Sequence, residues 1–138
     1  MLLVLGTAAG AARGQDSTAA PSPMEPECRR VFDDVETGIR EGRPAAFSQH
    51  FGPQVQIHLR GFEGGYVSSA QAYYVLENFF QGRRPVGVRL TTFGDTGGAP
   101  YGSGSAVFNA RGNRESAQIY VSLTRLQGRW TVGQLNIR

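Results

Sequence analysis

Two histidines are the side chains of this sequence best suited to proton transfer near neutral pH. His58 lies in residues 54–60, whose strict alternation of apolar and polar side chains is typical of a half-buried strand. It shares the polar face with Gln56 and Arg60, so we expect it to contact solvent or another subunit. His50 follows a short helical segment, where a positive charge suits the C-terminal end of a helix. Neither histidine is therefore predicted to be catalytic.

The carboxylates closest together in the sequence are Asp33, Asp34 and Glu36. They fall away from the apolar stripe of the helix predicted around them, which indicates a hydrated face. Glu63, in a glycine-rich turn, is the acid that a displaced active site at the mouth of a cavity would use. A catalytic base and an oxyanion donor would have to lie inside the cavity, on the inward face of the strands. The residues predicted to face inward are Val55, Ile57, Leu59, Val88, Leu90, Val107, Ile119, Val121 and Leu123. All of them are hydrocarbon, so no catalytic residue is predicted.

A single cysteine, Cys28, excludes an intrachain disulfide and a cysteine-based metal site. Its position on an apolar helix stripe predicts burial, with pairing between chains in an oxidising compartment as the alternative. Two histidines and scattered acids show no metal-ligand spacing. The sequence also has no Gly-x-Ser-x-Gly elbow and no phosphate-binding glycine loop. We therefore predict neither a metal nor a cofactor.

Tyrosine hydroxyls are the groups that could bring hydrogen-bond donors to an otherwise apolar pocket. Tyr66 and Tyr101 are predicted to lie at the rim of such a pocket. The full set of predicted pocket residues is Phe32, Val35, Tyr66, Leu76, Phe80, Tyr101 and Tyr120. The alternative is that the tyrosines pack at the ends of helices and strands with their hydroxyls in water.

The spacing of apolar residues predicts an α+β domain in which three helices pack on a strongly curved antiparallel sheet. Residues 27–42 repeat apolar side chains every three or four positions and end at Gly42, as a helix would. A shorter helix is predicted from Pro44 to Phe51, and a third over residues 68–80 behind capping serines. Residues 61–65 are predicted to form a turn. The predicted strands are 54–60, 86–93, 103–110, 116–126 and 129–137, the last with a bulge at Gly133.

The first 14 residues form an apolar run as long as a signal-peptide core, ending in the small residues Ala12 and Gly14. We expect a signal peptide over residues 1–14 and export to the periplasm, the envelope or the medium, with a buried N-terminal helix or strand as the alternative. Residues 15–26 predict a disordered tether, and residues 27–138 one domain. The 14 basic residues, all arginine, form no block, so no nucleic-acid partner is expected. The N-terminal run is too short for a stable membrane span.

Several short motifs keep the order and spacing of a known family. They are Tyr66-Val-Ser-Ser-Ala-Gln-Ala, Tyr101-Gly-Ser-Gly, Ile119-Tyr-Val-Ser-Leu and Trp130-Thr-Val-Gly-Gln-Leu-Asn-Ile. Over residues 28–138 the chain resembles the exported bacterial family called domain of unknown function 4783, within the nuclear transport factor 2-like superfamily. The resemblance implies a cone with a cavity between the helices and the concave side of the sheet. Gly87 and Phe93 stand where the family pattern leads us to expect an aromatic and a polar residue.

The superfamily resemblance implies ligand-binding and dimerisation modules as well as isomerases and dehydratases, so the fold alone does not decide the function. We expect a non-catalytic exported module that binds an apolar small molecule or a protein partner, with a homodimer formed through the exposed sheet face. One alternative is a cofactor-free isomerase or dehydratase that uses tyrosine hydroxyls and Glu63. The other is a structural subunit associated with the cell envelope.

Overall fold

A computed structural model of the protein describes residues 24–138. The predicted signal peptide (1–14) and residues 15–23 of the predicted tether lie outside the described residues. Met24 and Glu25, at the end of that tether, contact the domain, because Met24 packs against the core and Glu25 bonds to Trp130. In this part of the chain no helix is long and apolar enough to cross a membrane.

Two α-helices are present in residues 24–138, and both lie within one residue of their predicted bounds. Helix α1 (Pro26–Glu41) ends at Gly42, which adopts the left-handed conformation (φ 66°) that glycine reaches without steric cost. Helix α2 (Ser69–Gln81) begins behind Ser68, whose hydroxyl accepts the backbone N–H of Gln71 at 3.1 Å. The predicted apolar stripe of α1 is buried: Cys28, Val31, Phe32, Val35 and Ile39.

The predicted helix between Pro44 and Phe51 is wrong. Two 3₁₀ turns, Pro44–Ala46 and Ser48–His50, stand in its place, so the described residues contain two α-helices and not three. Phe47, between the turns, is fully buried and packs edge-on against Phe51. Two tight turns are enough to bury this ring, and so short a segment could not recover the cost of nucleating an α-helix.

All strands of residues 24–138 belong to one curved sheet. They are β1 (Phe51–Leu59), β2 (Phe62–Ser68), β3 (Arg84–Thr96), β4 (Ala99–Ala110), β5 (Asn113–Leu126) and β6 (Arg129–Ile137). Their spatial order is β2-β1-β6-β5-β4-β3. Neighbouring strands are antiparallel except β1 and β6, which run parallel, so the prediction of a purely antiparallel sheet is corrected there. Strand β2 occupies the segment predicted to be a turn.

The helices cover one side of the sheet, here called the inner face; the opposite side is the outer face. Inward strand residues form the core together with α1 and α2. Val107, predicted to point inward, lies on the outer face, and its neighbours Ala106 and Phe108 are buried instead. Strand pairing decides this register, because Ala106 lies between Val88 and Ala117, which are both buried.

The bulge predicted at Gly133 is confirmed. The pairing of β5 with β6 shifts register between Ser122 and Leu123, which leaves Gly133 as the extra residue of β6. Val132 and Leu135, which a regular strand would place on opposite faces, are consequently both fully buried. Further register shifts in β3 bend the sheet around the helices.

Side chains of α1 hold the edge strand β3. Glu36 accepts the backbone N–H of Leu90 at 2.7 Å, and Arg40 donates to the carbonyl of Val88 at 3.5 Å. The two helix residues also form an ion pair of 3.0 Å with each other. Among the described strands β3 pairs with β4 alone, so these contacts satisfy backbone groups of a sheet edge. Glu36, predicted to lie on a hydrated face of α1, therefore has a structural role.

Candidate ligand-binding groove

A groove opens between the first turns of α1, the hairpin that joins β3 to β4, and the start of β6. We call it the mouth groove, and it encloses about 620 Å³. Its walls are formed by Met24, Cys28, Phe32, Phe93, Gly94, Pro100 and Trp130. Four charged side chains complete the lining and form its rim: Glu25, Arg29, Asp33 and Asp95. Both the volume and the apolar walls are typical of a site for a small molecule.

Two phenylalanines form one wall of the mouth groove. Phe32 of α1 is buried in the core, whereas Phe93 of β3 leaves 46% of its surface exposed. The rings meet edge to face, with centroids 5.5 Å apart and planes inclined by 62°. The core thus holds Phe32 in place, and Phe32 in turn supports an aromatic ring that remains open to the groove.

Trp130, at the start of β6, forms a second wall. Its indole Nε1–H donates to Glu25 Oε1 at 3.1 Å, and the guanidinium of Arg125 lies 5.0 Å from the ring centroid. Arg125 also lies 3.6 Å from the same carboxylate. These three side chains connect the residue before α1 to the hairpin of β5 and β6, and they hold the indole against the groove.

The thiol of Cys28 lines the groove and is buried, as the sequence predicts. Burial first, and then the nearby carboxylates of Glu25 and Glu27, raise the pKa of this thiol from 9.0 to about 11. At neutral pH the group is therefore a neutral thiol. It packs as a small apolar side chain and does not act as a nucleophile.

The rim of the groove is mostly acidic, although the whole chain has a formal net charge of +3. Glu25 is already bonded to Trp130, and Asp95 Oδ1 accepts the N–H of Gly98 at 2.7 Å, which shapes the hairpin turn. Asp33 is exposed on α1. This charge pattern disfavours an anionic ligand, and the hydrated carboxylates lack the dry surroundings that would tune them as a catalytic base.

The other candidates for acid–base chemistry lie away from the groove. His58 is on the outer face, as predicted, with its Nε2 3.3 Å from the side-chain nitrogen of Gln56. His50 contacts Asp34, with 2.7 Å between Nε2 and Oδ2, and Glu63 is exposed on β2. Within residues 24–138, no group of three or more histidine, cysteine, aspartate and glutamate side chains is placed to hold a metal ion.

The seven side chains predicted to line one pocket are not brought together. Phe32 is the one that lines the mouth groove. Val35, Leu76 and Phe80 are buried in the core. They support the helices and present little surface to a ligand.

Tyr66, Tyr101 and Tyr120 lie on the outer face and do not reach the mouth groove. Tyr101 pairs with Ser122 across the strands, and Tyr120 pairs with Ser103, so both belong to the polar side of the sheet. Their rings stack, with centroids 5.8 Å apart, and Tyr66 is 68% exposed. The strand alternation that buries the aliphatic residues directs these tyrosines outward.

Phe93, Pro100 and Trp130 line the mouth groove but were not predicted from the sequence to do so. The hairpin of β3 and β4 is longer than predicted, and its far end reaches the start of α1. One signal was present in the sequence: Phe93 is a large apolar residue directly before the polar, glycine-rich segment 94–98.

Residues 32–138 match the model of a protein family described as domain of unknown function DUF4783. A comparison with curated proteins gives no match. Among solved structures, a DUF4783 family protein from Bacteroides uniformis is 11% identical, with 76% of this chain and 93% of that chain covered and a TM-score of 0.63.

Two other solved structures have a similar fold. A protein of unknown function with a cystatin-like fold from Nostoc punctiforme is 12% identical, covers 80% of this chain and 86% of its own, and has a TM-score of 0.56. An NTF-2 like protein of unknown function from Shewanella oneidensis is 8% identical, with coverages of 80% and 95% and a TM-score of 0.55. At these identities the likeness shows the fold alone, so the predicted cystatin-like, NTF2-like fold is confirmed.

Proposed function

The chain belongs to the DUF4783 family, and from this premise we propose that it is a binding module whose mouth groove takes a small apolar molecule with an aromatic ring. A family described by an unknown function leaves the activity to be argued from the site. The observation that carries the proposal is the half-exposed ring of Phe93, supported by buried Phe32 and open to the groove. Because the rim is acidic, a neutral or cationic molecule fits better than an anion.

Covering the exposed part of Phe93 would supply part of the free energy of binding. Phe93 is 46% exposed, which leaves about 100 Å² of a phenylalanine side chain in contact with water. At about 25 cal/mol per Å², covering this area contributes about 2.5 kcal/mol before the entropic cost of binding. Stacking against the indole of Trp130 would add to it.

Binding without catalysis is favoured over the isomerase or dehydratase alternative. Such an enzyme needs a base inside the cavity, and the thiol that lines the groove is protonated at neutral pH. Glu63 is exposed on β2, and the tyrosines considered for an oxyanion site lie on the outer face. A purely structural subunit is less favoured, because the side chains of residues 24–138 leave the mouth groove open.

The single tryptophan of the chain makes the proposal directly testable, since Trp130 lines the groove. Titration with N-phenylnaphthylamine, a neutral aromatic amine, should shift and quench the Trp130 emission in a saturable manner. The Phe93→Ala variant should bind the probe at least tenfold more weakly, a change of about 1.4 kcal/mol.

Val86→Ala is the matched control, because Val86 lies on the same strand with the same 46% exposure but outside the groove lining. It should leave probe affinity unchanged. An unchanged Trp130 emission up to the solubility limit of the probe, or equal weakening by both variants, would refute the proposal.

We also propose that the protein forms a homodimer through the outer face. The support is that strands β4 and β5 present the stacked rings of Tyr101 and Tyr120 there, with few charges around them. Native mass spectrometry of the purified protein reports the oligomeric state and any retained ligand together. A monomer at micromolar concentration would remove the dimer proposal without affecting the groove.

Export is a separate proposal that rests on residues 1–14 of the sequence. Intact mass of the protein recovered from the envelope or the medium should correspond to a chain that starts at Gln15. Recovery of a chain that still begins at Met1 would contradict it.

A further inference from the structure

A second concave surface lies on the outer face, where β1, β5 and β6 meet beside the exposed ring of Tyr66. It encloses about 710 Å³, and we call it the outer-face groove. Its polar lining consists of Gln54, Gln56, Ser122, Thr124, Thr131 and Gln134. From this lining we propose that the outer-face groove binds a neutral oligosaccharide.

The lining of the outer-face groove is uncharged. None of the ten residues that line the outer-face groove is charged, although charged residues make up 18% of the chain. The polar groups are amides and hydroxyls, each of which both donates and accepts hydrogen bonds. A ligand matched to such a surface is uncharged and carries many groups that can do both, which is the chemistry of sugar hydroxyls.

Two amides in the lining of the outer-face groove are oriented by side-chain hydrogen bonds. The side-chain nitrogen of Gln134 donates to Asn136 Oδ1 at 3.3 Å. The side-chain nitrogen of Gln56 lies at the same distance from His58 Nε2. Within residues 24–138, the side-chain carbonyl oxygens of Gln56 and Gln134 accept no hydrogen bond. These neighbouring oxygens are therefore oriented and free to accept hydrogen bonds from adjacent hydroxyls of a ligand.

His58 helps to orient the side-chain amide of Gln56. Its Nδ1 is buried and has no hydrogen-bond partner among residues 24–138. The imidazole therefore makes its hydrogen bond through Nε2 to Gln56. A ring packed in this way on the outer face limits the motion of the Gln56 amide, which reduces the entropy lost when that amide binds a ligand.

The exposed aromatic ring of Tyr66 lies at one end of a row of four residues that crosses the outer-face groove. Tyr66 pairs with Gln56, which pairs with Gln134, which in turn pairs with Ser122, so the four residues cross four adjacent strands. At about 4.8 Å between strands, the row spans about 14 Å. Tyr66 is 68% exposed and offers an aromatic face on which the apolar side of a sugar ring can pack.

The bulge at Gly133 keeps the groove open. A Cβ atom at this position would lie 2.6 Å from Thr124 Oγ1, so any larger residue would displace the threonine in the groove wall. The same bulge places Thr131 in the outer-face groove, while its neighbour Trp130 lines the mouth groove. The two sites are thus on opposite sides of β6 and can be tested independently.

The experiment is a titration of the ¹⁵N-labelled protein with neutral tetrasaccharides (cellotetraose, maltotetraose and N-acetylchitotetraose), followed through the side-chain amide signals of Gln56 and Gln134. At least one of them should shift these signals in a saturable manner. The Tyr66→Ala variant should weaken binding at least tenfold, whereas Tyr66→Phe, which keeps the ring, should bind within about threefold of the parent protein.

Tyr74→Ala is the matched control, because Tyr74 is 66% exposed but lies on α2. It should not change the affinity, and the Trp130 emission should not respond to the tetrasaccharides. The proposal is overturned if no tetrasaccharide shifts the amide signals at 10 mM, roughly the weakest binding that such a titration detects. Equal binding of a charged oligogalacturonate would also overturn it. So would a homodimer that Tyr66→Ala dissociates, since a second copy would then occupy the groove.

Discussion

Replacing Glu36 with alanine tests whether the contact between α1 and the edge strand stabilises the domain. The Glu36 carboxylate is 23% exposed and accepts the N–H of Leu90, a residue that is itself 7% exposed. Removing the carboxylate leaves this N–H without its partner in a place that water reaches poorly. The free energy of unfolding should therefore fall.

The expected loss follows from the contacts. A hydrogen bond to a charged group contributes about 1.5–3 kcal/mol when its loss leaves a buried donor unpaired. The ion pair with Arg40 adds only about 0.3–0.5 kcal/mol, because it is a partly exposed pair within one helix. Alanine has a higher helix propensity than glutamate, which stabilises the variant by roughly a few tenths of a kcal/mol. This gain about cancels the loss of the ion pair. We expect Glu36→Ala to destabilise the domain by about 1.5–3 kcal/mol, and Glu36→Gln, which can still accept a neutral hydrogen bond, by about 1 kcal/mol.

Urea unfolding followed by circular dichroism measures this loss. The matched control is Glu41→Ala, since Glu41 lies on the same helix and forms an exposed ion pair with Arg43 at 3.0 Å. That pair should contribute less than about 1 kcal/mol. If Glu36→Ala costs no more than Glu41→Ala at an unchanged m-value, the bond to Leu90 does not stabilise the edge strand and the reasoning is wrong.

Three further predictions concern buried groups. Cys28 is 1% exposed, so its alkylation by iodoacetamide at pH 8 should be slow in the native protein and fast in urea; rapid native alkylation would contradict its burial. Because folding raises the pKa of this thiol from 9.0 to about 11, the neutral form is favoured in the native state. Its stabilising effect should be complete below pH 9 and lost as the pH rises towards 11, and a Cys28→Ala variant should lack this part of the pH dependence of unfolding. A methyl group at Gly38 would overlap the ring of Phe47, so Gly38→Ala should destabilise the domain by about 1–3 kcal/mol despite the higher helix propensity of alanine. Gly82→Ala is its control, since nothing lies within 4 Å of that position and its φ is −91°; thermal unfolding should find it neutral or slightly stabilising.

Local signals in the sequence were sufficient for several elements of the fold. The stripe of α1 and its end at Gly42 depend on neighbouring residues alone, and so does the cap at Ser68. The bulge at Gly133 could be predicted because the apolar parity of β6 changes on either side of it. The prediction of a helix between Pro44 and Phe51 was wrong for the opposite reason. Its conformation depends on where Phe47 fits against α1, and tertiary packing decides that.

The candidate site was harder to predict because it joins distant parts of the chain. Phe32, Phe93 and Trp130 belong to three elements, and no spacing rule brings them together. The tyrosines were chosen for their chemistry, but the strand pairing places Tyr101 and Tyr120 on the side away from the helices. Val107 shows the same limit: three consecutive apolar residues do not reveal which face is buried until the partner strands are known.

The parallel pairing of β1 with β6 has a consequence for how the chain acquires its structure. β1 is completed by the last strand of the sequence, through pairs such as Leu59 with Ile137, and the N–H of Arg60 donates to the carbonyl of Ile137 at 2.9 Å. Contacts between such distant segments slow folding, because a long loop must close before they form. During synthesis β1 lacks this neighbour until β6 leaves the ribosome. The domain should therefore complete its core only after β6 has been synthesised and released from the ribosome, and a chain that lacks β6 should fail to fold.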